Sequence, residues 1–183
     1  DENLAPLDPA PFSLLPGNSI NGITQNGSQF YIIWVQQMLD FSIAVLGSRV
    51  GTDGTRLDGA GDNLSVLNEP DPYTPLSATW DGSYWAVVWS ASNLLRVARV
   101  NSDGQVTDPG GVAVPGPASG AAAGTSLGGI QIAWAEYASS ENEVLSAYVS
   151  PANSAGDNIH VSNGGPMQVR SDVAAGANGY MFT

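Results

Sequence analysis

Few residues in this chain have catalytic capacity, and they are scattered. His160 is the only histidine. A Ser-His-Asp triad needs that imidazole beside an activated serine, and no G-x-S-x-G segment supplies one. His160 sits in a strand-like stretch and reads as an ordinary structural residue. Glycoside hydrolysis needs two facing carboxylates. Glu136, Glu141 and Glu143 lie close together in sequence, but Glu141 and Glu143 follow Ser139-Ser140 and read as solvated acids of a loop. Metal chemistry is equally thin. Cysteine is absent, so thiolate sites and disulfides are excluded. Calcium loops need oxygen ligands at alternating positions, and Asp53, Asp58 and Asp62 are not spaced that way. Calcium therefore rests on acidity alone and has no ligand set behind it. Asp58 and Asp108 read as turn-capping carboxylates. No P-loop is present, and no G-x-G-x-x-G follows a strand. The expectation is no catalytic residue, no metal site and no cofactor.

Composition narrows the classes further. Of 183 residues, 12% are charged and 43% hydrophobic, and the formal net charge is −12. All five basic residues are arginines. Such a surface repels phosphate backbones and anionic lipid, so nucleic acid and membrane insertion are excluded as partners. No apolar run approaches the roughly 20 residues of a spanning helix. The 22 glycines and 12 prolines favour short strands joined by turns over helices. The opening Asp1-Glu2-Asn3 reads like a mature terminus left by processing, or an arbitrary boundary.

The elements that must position any site come from an internal repeat. Phe30-Tyr31-Ile32-Ile33-Trp34, Trp85-Ala86-Val87-Val88-Trp89 and Ile130-Gln131-Ile132-Ala133-Trp134 are three apolar strands, each ending in Trp, spaced by about 50 residues. Alternation puts Trp85, Val87 and Trp89 on one face, and Phe30, Ile32 and Trp34 likewise. Asn26-Gly27 and Asp81-Gly82 are hairpin turns before the first two, and Gly128-Gly129 serves the third. Short first strands precede them at Gly22–Thr24 and Leu76–Thr79. Third strands follow at Leu46–Val50, Arg96–Val100 and Leu145–Val149. A D-G-x-x-x-D-x-x-G stretch recurs at Asp53–Gly61 and Asp103–Gly111, read as a tight turn. Fourth strands are expected near Asn63–Val66, Val112–Val114 and Ile159–Val161. Gly179–Thr183 opens a further copy.

The fold class is therefore all-β, with propeller-type blades of four antiparallel strands, roughly three and a half of them. The units span about 18–68, 71–116, 120–165 and a truncated 170–183, with 1–17 an N-terminal arm and outer strand, all within one partial domain. The three tryptophans are expected to fill the layers between blades. The segments G-x-x-[aromatic]-x-V-V-W, carried by Gly82–Trp89, and A-R-V-x-x-D-G-x-x-x-D-x-x-G, carried by Ala98–Gly111, resemble the blade repeat of large secreted bacterial β-propeller proteins. The resemblance implies that fold and a secreted or cell-surface location. It brings no catalytic residues. Ser102-Asp103-Gly104 lacks the Trp and the spacing of a sialidase-type Asp-box.

Loop length points to a binding face. The links between strands two and three, and between units, are expected to be the long ones and to share one rim. That rim carries Asp40, Glu69, Asp71, Tyr73, Tyr137, Glu141 and Glu143, with Met38 beside them. Aromatics mixed with acids suit glycan, cation or protein contacts; the bland alternative is a solvent-facing edge. The expected function is a non-enzymatic binding, scaffolding or adhesion module whose partner is a protein or glycan. The alternatives are the propeller portion of a secreted hydrolase, or a subunit of a surface assembly. Three and a half blades do not close an ordinary ring. The chain is read as part of a longer polypeptide, or as completed by another chain, or as closed by pairing of Phe12–Leu15 with the last blade.

Overall fold

The computed structural model describes residues 20–40, 42–58, 64–69, 76–91, 94–114, 121–126, 129–138, 141–150, 159–162, 173–176 and 179–182. Among these residues every regular element is a strand. The first sheet holds β1 (Ile20–Gln25), β2 (Gln29–Gln37), β3 (Ile43–Gly51) and β4 (Leu64–Glu69). The second holds β5 (Leu76–Trp80), β6 (Tyr84–Ala91), β7 (Leu94–Asn101) and β8 (Val112–Val114). The third holds β9 (Ala121–Ser126), β10 (Gly129–Ala138), β11 (Glu141–Val149) and β12 (Ile159–Ser162). A hairpin of β13 (Val173–Gly176) and β14 (Gly179–Phe182) follows. Each four-stranded sheet is an antiparallel meander in chain order. The expected pairing of Phe12–Leu15 lies outside the described residues.

The first hairpin of each sheet is set by its turn chemistry. Gly27 and Gly82 adopt φ of 92° and 99°, a region that costs other residues steric strain. The preceding side chain locks the turn. Asn26 Oδ1 accepts the Ser28 and Gln29 amides at 3.0 and 2.8 Å. Asp81 Oδ1 accepts those of Ser83 and Tyr84 at 2.8 and 2.7 Å.

Two loop-length expectations are corrected. The link between strands two and three is only residues 92–93 in the second sheet and 139–140 in the third, because β6, β7, β10 and β11 run on to their tips. In the first sheet it is residues 38–42. The link between strands three and four, expected to be tight, is instead a long structured loop. Residues 102–111 make this loop in the second sheet, with an isolated bridge from Val100 to Val106.

Packing follows from two apolar faces on the middle strands. Tyr31, Ile33 and Val45 of the first sheet form one buried cluster with Trp85, Val87, Trp89, Ala98 and Val100 of the second. The opposite face of the second sheet, with Ala86, Val88, Leu95, Val97 and Val114, packs on Ile130, Ile132, Trp134, Leu145, Ala147 and Val149 of the third. The second sheet is thus sandwiched between its neighbours. Trp89 and Trp134 each sit in the layer shared with the preceding sheet. Trp34, with Ala44 and Leu46, is buried on the equivalent face of the first sheet. The first strands lie side by side in chain order, β1 against β5, β5 against β9, and β9 against β13.

Close approaches tune these layers. Tyr31 stacks on Trp85 with centroids 4.9 Å apart. Its hydroxyl lies over Gly47, where any Cβ would overlap it. Gly129 makes the same room for the Tyr148 hydroxyl in the third sheet. The Tyr31 hydroxyl is buried with no hydrogen-bond partner among the described residues. Burial, reinforced by the nearby Asp58 charge and partly offset by Arg49, pushes its ionisation far above the ordinary tyrosine value.

An unpaired buried hydroxyl costs stability, so Tyr31→Phe is expected to stabilise the protein by about 1 kcal/mol in urea unfolding. Gly47→Ala is expected to destabilise by about 1–3 kcal/mol through overpacking against Tyr31. Trp89→Ala is expected to cost about 3–5 kcal/mol. Equal midpoints for wild type and Gly47→Ala would contradict the close approach.

Candidate functional site

Two groups of polar residues stand out: the loops after the third strands, and the hairpin ends opposite them. In each loop a third-strand arginine grips an aspartate nine residues on. Arg49 holds Asp58 through Nε at 2.8 Å and Nη2 at 2.6 Å, while Asp58 also accepts the Arg49 amide. Arg99 holds Asp108 through Nε at 2.7 Å and Nη2 at 3.1 Å. Both aspartates are buried. The Asp108 bond raises the already high Arg99 pKa further, against the opposing effect of burial. The guanidinium of Arg99 also lies over the Tyr84 ring, 5.2 Å from its centroid.

Asp58 and Asp108 are therefore more than turn caps. They are carboxylate anchors of an arginine clasp that folds the loop back onto its strand. The arginine stands inside the A-R-V-x-x-D-G-x-x-x-D-x-x-G segment of Ala98–Gly111; its pairing with the aspartate nine residues on is what that pattern does not show. The signal was present in the shared R-V-x-x-D-G-x-x-x-D at Arg49–Asp58 and Arg99–Asp108. In the third sheet Tyr148 occupies the arginine position.

Around each clasp the loop backbone is the same. Gly54 and Gly104 have φ of 83° and 87°. Each donates its amide three residues back, to Gly51 or Asn101. The Leu57 and Thr107 amides return to the Arg49 and Arg99 carbonyls. The second loop ends in Gly110-Gly111, both left-handed, and a Cβ on Gly111 would lie 2.7 Å from the Trp89 ring.

The expected rim residues fall at hairpin ends. Asp40 lies in the exposed β2–β3 turn. Its carboxylate accepts the Ser42 hydroxyl at 2.6 Å and the Ser42 amide at 3.1 Å. Those bonds, the hydroxyl first, hold its pKa below the ordinary value. Met38 closes the turn by donating its amide to the Ser42 carbonyl at 2.8 Å. Leu39 at the apex is fully exposed. Glu69 ends β4, opposite Ile43 and so at the same end of the first sheet.

Glu141 and Glu143 are not loop residues. They belong to β11, where Glu141 stands opposite Ala138 and Glu143 opposite Glu136. Tyr137 belongs to β10, opposite Asn142. The hairpin is longer than expected because β10 runs to Ala138 and β11 begins at Glu141. Asp71 and Tyr73 lie outside the described residues. The structure thus brings Asp40 and Glu69 to one sheet end, and Tyr137, Glu141 and Glu143 to the end of another. The second sheet stands between those two sheets.

Among the described residues no three His, Asp or Glu side chains gather into a cluster able to hold a metal ion. No helix is long and apolar enough to cross a membrane. No family model matches the chain, and neither a curated protein nor a solved structure is similar to it.

Neutralising a clasp leaves its arginine with a weaker partner. Asp58→Asn and Asp108→Asn are each expected to destabilise by about 1–3 kcal/mol in urea unfolding. Because its folded pKa is depressed, the Asp40 cap is intact above the ordinary aspartate range and is lost as pH falls through the lowered value. An NMR titration is expected to place Asp40 below an unstructured aspartate, and Ser42→Ala is expected to return it toward the ordinary value.

Proposed function

We propose that this chain is a propeller-type module that acts by binding: a non-enzymatic extracellular scaffold or adhesion unit, making protein or glycan contacts through its hairpin ends. The observation that carries the reading is the β2–β3 turn. Leu39 and Met38 are held out to solvent on a turn locked by Asp40 and Ser42, at the end of a strand pair packed on the second sheet. The equivalent links in the other sheets are a Ser92-Asn93 dipeptide and a Ser139-Ser140 dipeptide. An ordered apolar apex flanked by acids loses little freedom on contact, which favours recognition. Loops on a rigid scaffold are where such contacts concentrate.

The propeller reading draws its support from the order of the parts. Four-stranded meanders stack face to face in sequence, with their first strands adjacent and a Trp in each layer, as blades around an axis require. The resemblance to secreted bacterial propeller repeats supports the same reading and an exported location. A second reading is a subunit of a surface assembly.

A glycan array with and without calcium, run beside a Leu39→Ser/Met38→Ser variant, is expected to show calcium-independent binding that the variant weakens at least tenfold. Binding unaffected by the variant would move the site elsewhere. Turnover on a glycoside panel would replace the reading with the hydrolase. Native mass spectrometry tests the assembly: a strictly monomeric folded species would remove it.

A further inference from the structure

The arginine clasp has a feature that reaches beyond its own loop. Arg49 also donates Nη1 to the Ser102 carbonyl at 2.6 Å, and Ser102 belongs to the second sheet. Arg49 stands opposite Tyr31 on β2, and so on the face turned toward that sheet. It arrives over the Asp103-Gly104 turn. A Cβ on Gly104 would lie 2.9 Å from Arg49 Nε and 3.0 Å from Cζ. Gly104 is therefore fixed twice, by its left-handed φ and by the guanidinium above it, and it is buried although its neighbours Ser102 and Asp103 are exposed.

We propose that the third-strand arginine and the D-G turn form an interaction surface through which one repeat unit recognises the next. The arginine is the donor half and points to the following unit. The turn is the acceptor half and receives the arginine of the preceding unit. The occupant that fits the acceptor is a repeat unit carrying R-V-x-x-D-G-x-x-x-D in its third strand and loop. The clasp to Asp58 preorganises this contact: it spends two guanidinium nitrogens within the unit and aims the third outward. Arginine suits both tasks because its planar fork presents several donors in fixed directions. Lysine, a single ammonium, cannot hold the carboxylate side-on and reach the carbonyl together.

This surface accounts for the conjunction of three residues that are remote in sequence, Arg49, Asp58 and Gly104. It also gives the stacking a direction, because donor and acceptor halves are different surfaces. Tyr148 stands at the donor position in the third unit, which therefore has no guanidinium there. The inference concerns how units dock and does not depend on what the module binds.

A double-mutant cycle tests it in the full chain. Gly54→Ala controls for the cost of left-handed φ alone. With Arg49 present, Gly104→Ala is expected to lower the urea midpoint at least twice as far as Gly54→Ala. In an Arg49→Ala background the two glycine variants are expected to cost the same. Additive effects of Arg49→Ala and Gly104→Ala would overturn the proposal. Should Gly104→Ala fail to fold, amide exchange of residues 101–105 is read in Arg49→Gln and Arg49→Lys. Acceleration of about fivefold or more in both supports the contact. Exchange unchanged from wild type in Arg49→Gln overturns it.

Discussion

The constraint on which this molecule depends is that its middle strands are apolar on both faces. Val87 and Trp89 turn one way and Ala86 and Val88 the other, and all are fully buried. A lone four-stranded sheet with that pattern would leave both apolar faces in water. Burial is worth about 25 cal/mol per Å² of apolar surface, so each sheet gains by being covered on both sides. The repeat is the answer to that need. The second sheet is covered on both faces in this way, by the first sheet and by the third.

Tryptophan and glycine divide the work inside those layers. Trp89 and Trp134, on the second strands of their sheets, fill the spaces between the described sheets. Glycines at 47, 111 and 129 admit Tyr31, Trp89 and Tyr148 where a side chain would collide. Some polar groups are buried in these layers, and the Tyr31 hydroxyl is one with no hydrogen-bond partner among the described residues. Where one is buried in the third sheet, the Gln131 amide donates to the Ser146 hydroxyl. The loops after the third strands carry the strongest polar contacts, and they brace the stack from the side.

The surface left over is of a different kind. It has few charges, many small polar residues and ordered turns. Asp40 illustrates the economy: its carboxylate shapes a turn, and that turn holds Leu39 out to solvent. A scaffold whose stability lies in its layers can vary such ends at low cost, and the link of residues 38–42 does differ in length and polarity from the two-residue links 92–93 and 139–140.

The repeat, the strand order and the Trp layers were legible in the sequence, because period-two alternation and Asn-Gly or Asp-Gly turns are local signals. Trp89 and Trp134 sit between sheets as their position suggested, while Trp34 is buried with Ala44 and Leu46 of its own sheet. Strand ends were not legible: Glu141 and Glu143 look like loop acids beside two serines, yet the ladder with β10 runs on until only those serines remain. Nor was the arginine clasp, since pairing Arg49 with Asp58 depends on a loop folding back across nine residues. The bond from Arg49 to Ser102 was beyond any local reading. Sequence spacing determines which residues share a face, whereas only the stacking of one sheet on another decides which side chain meets a carbonyl 53 residues away.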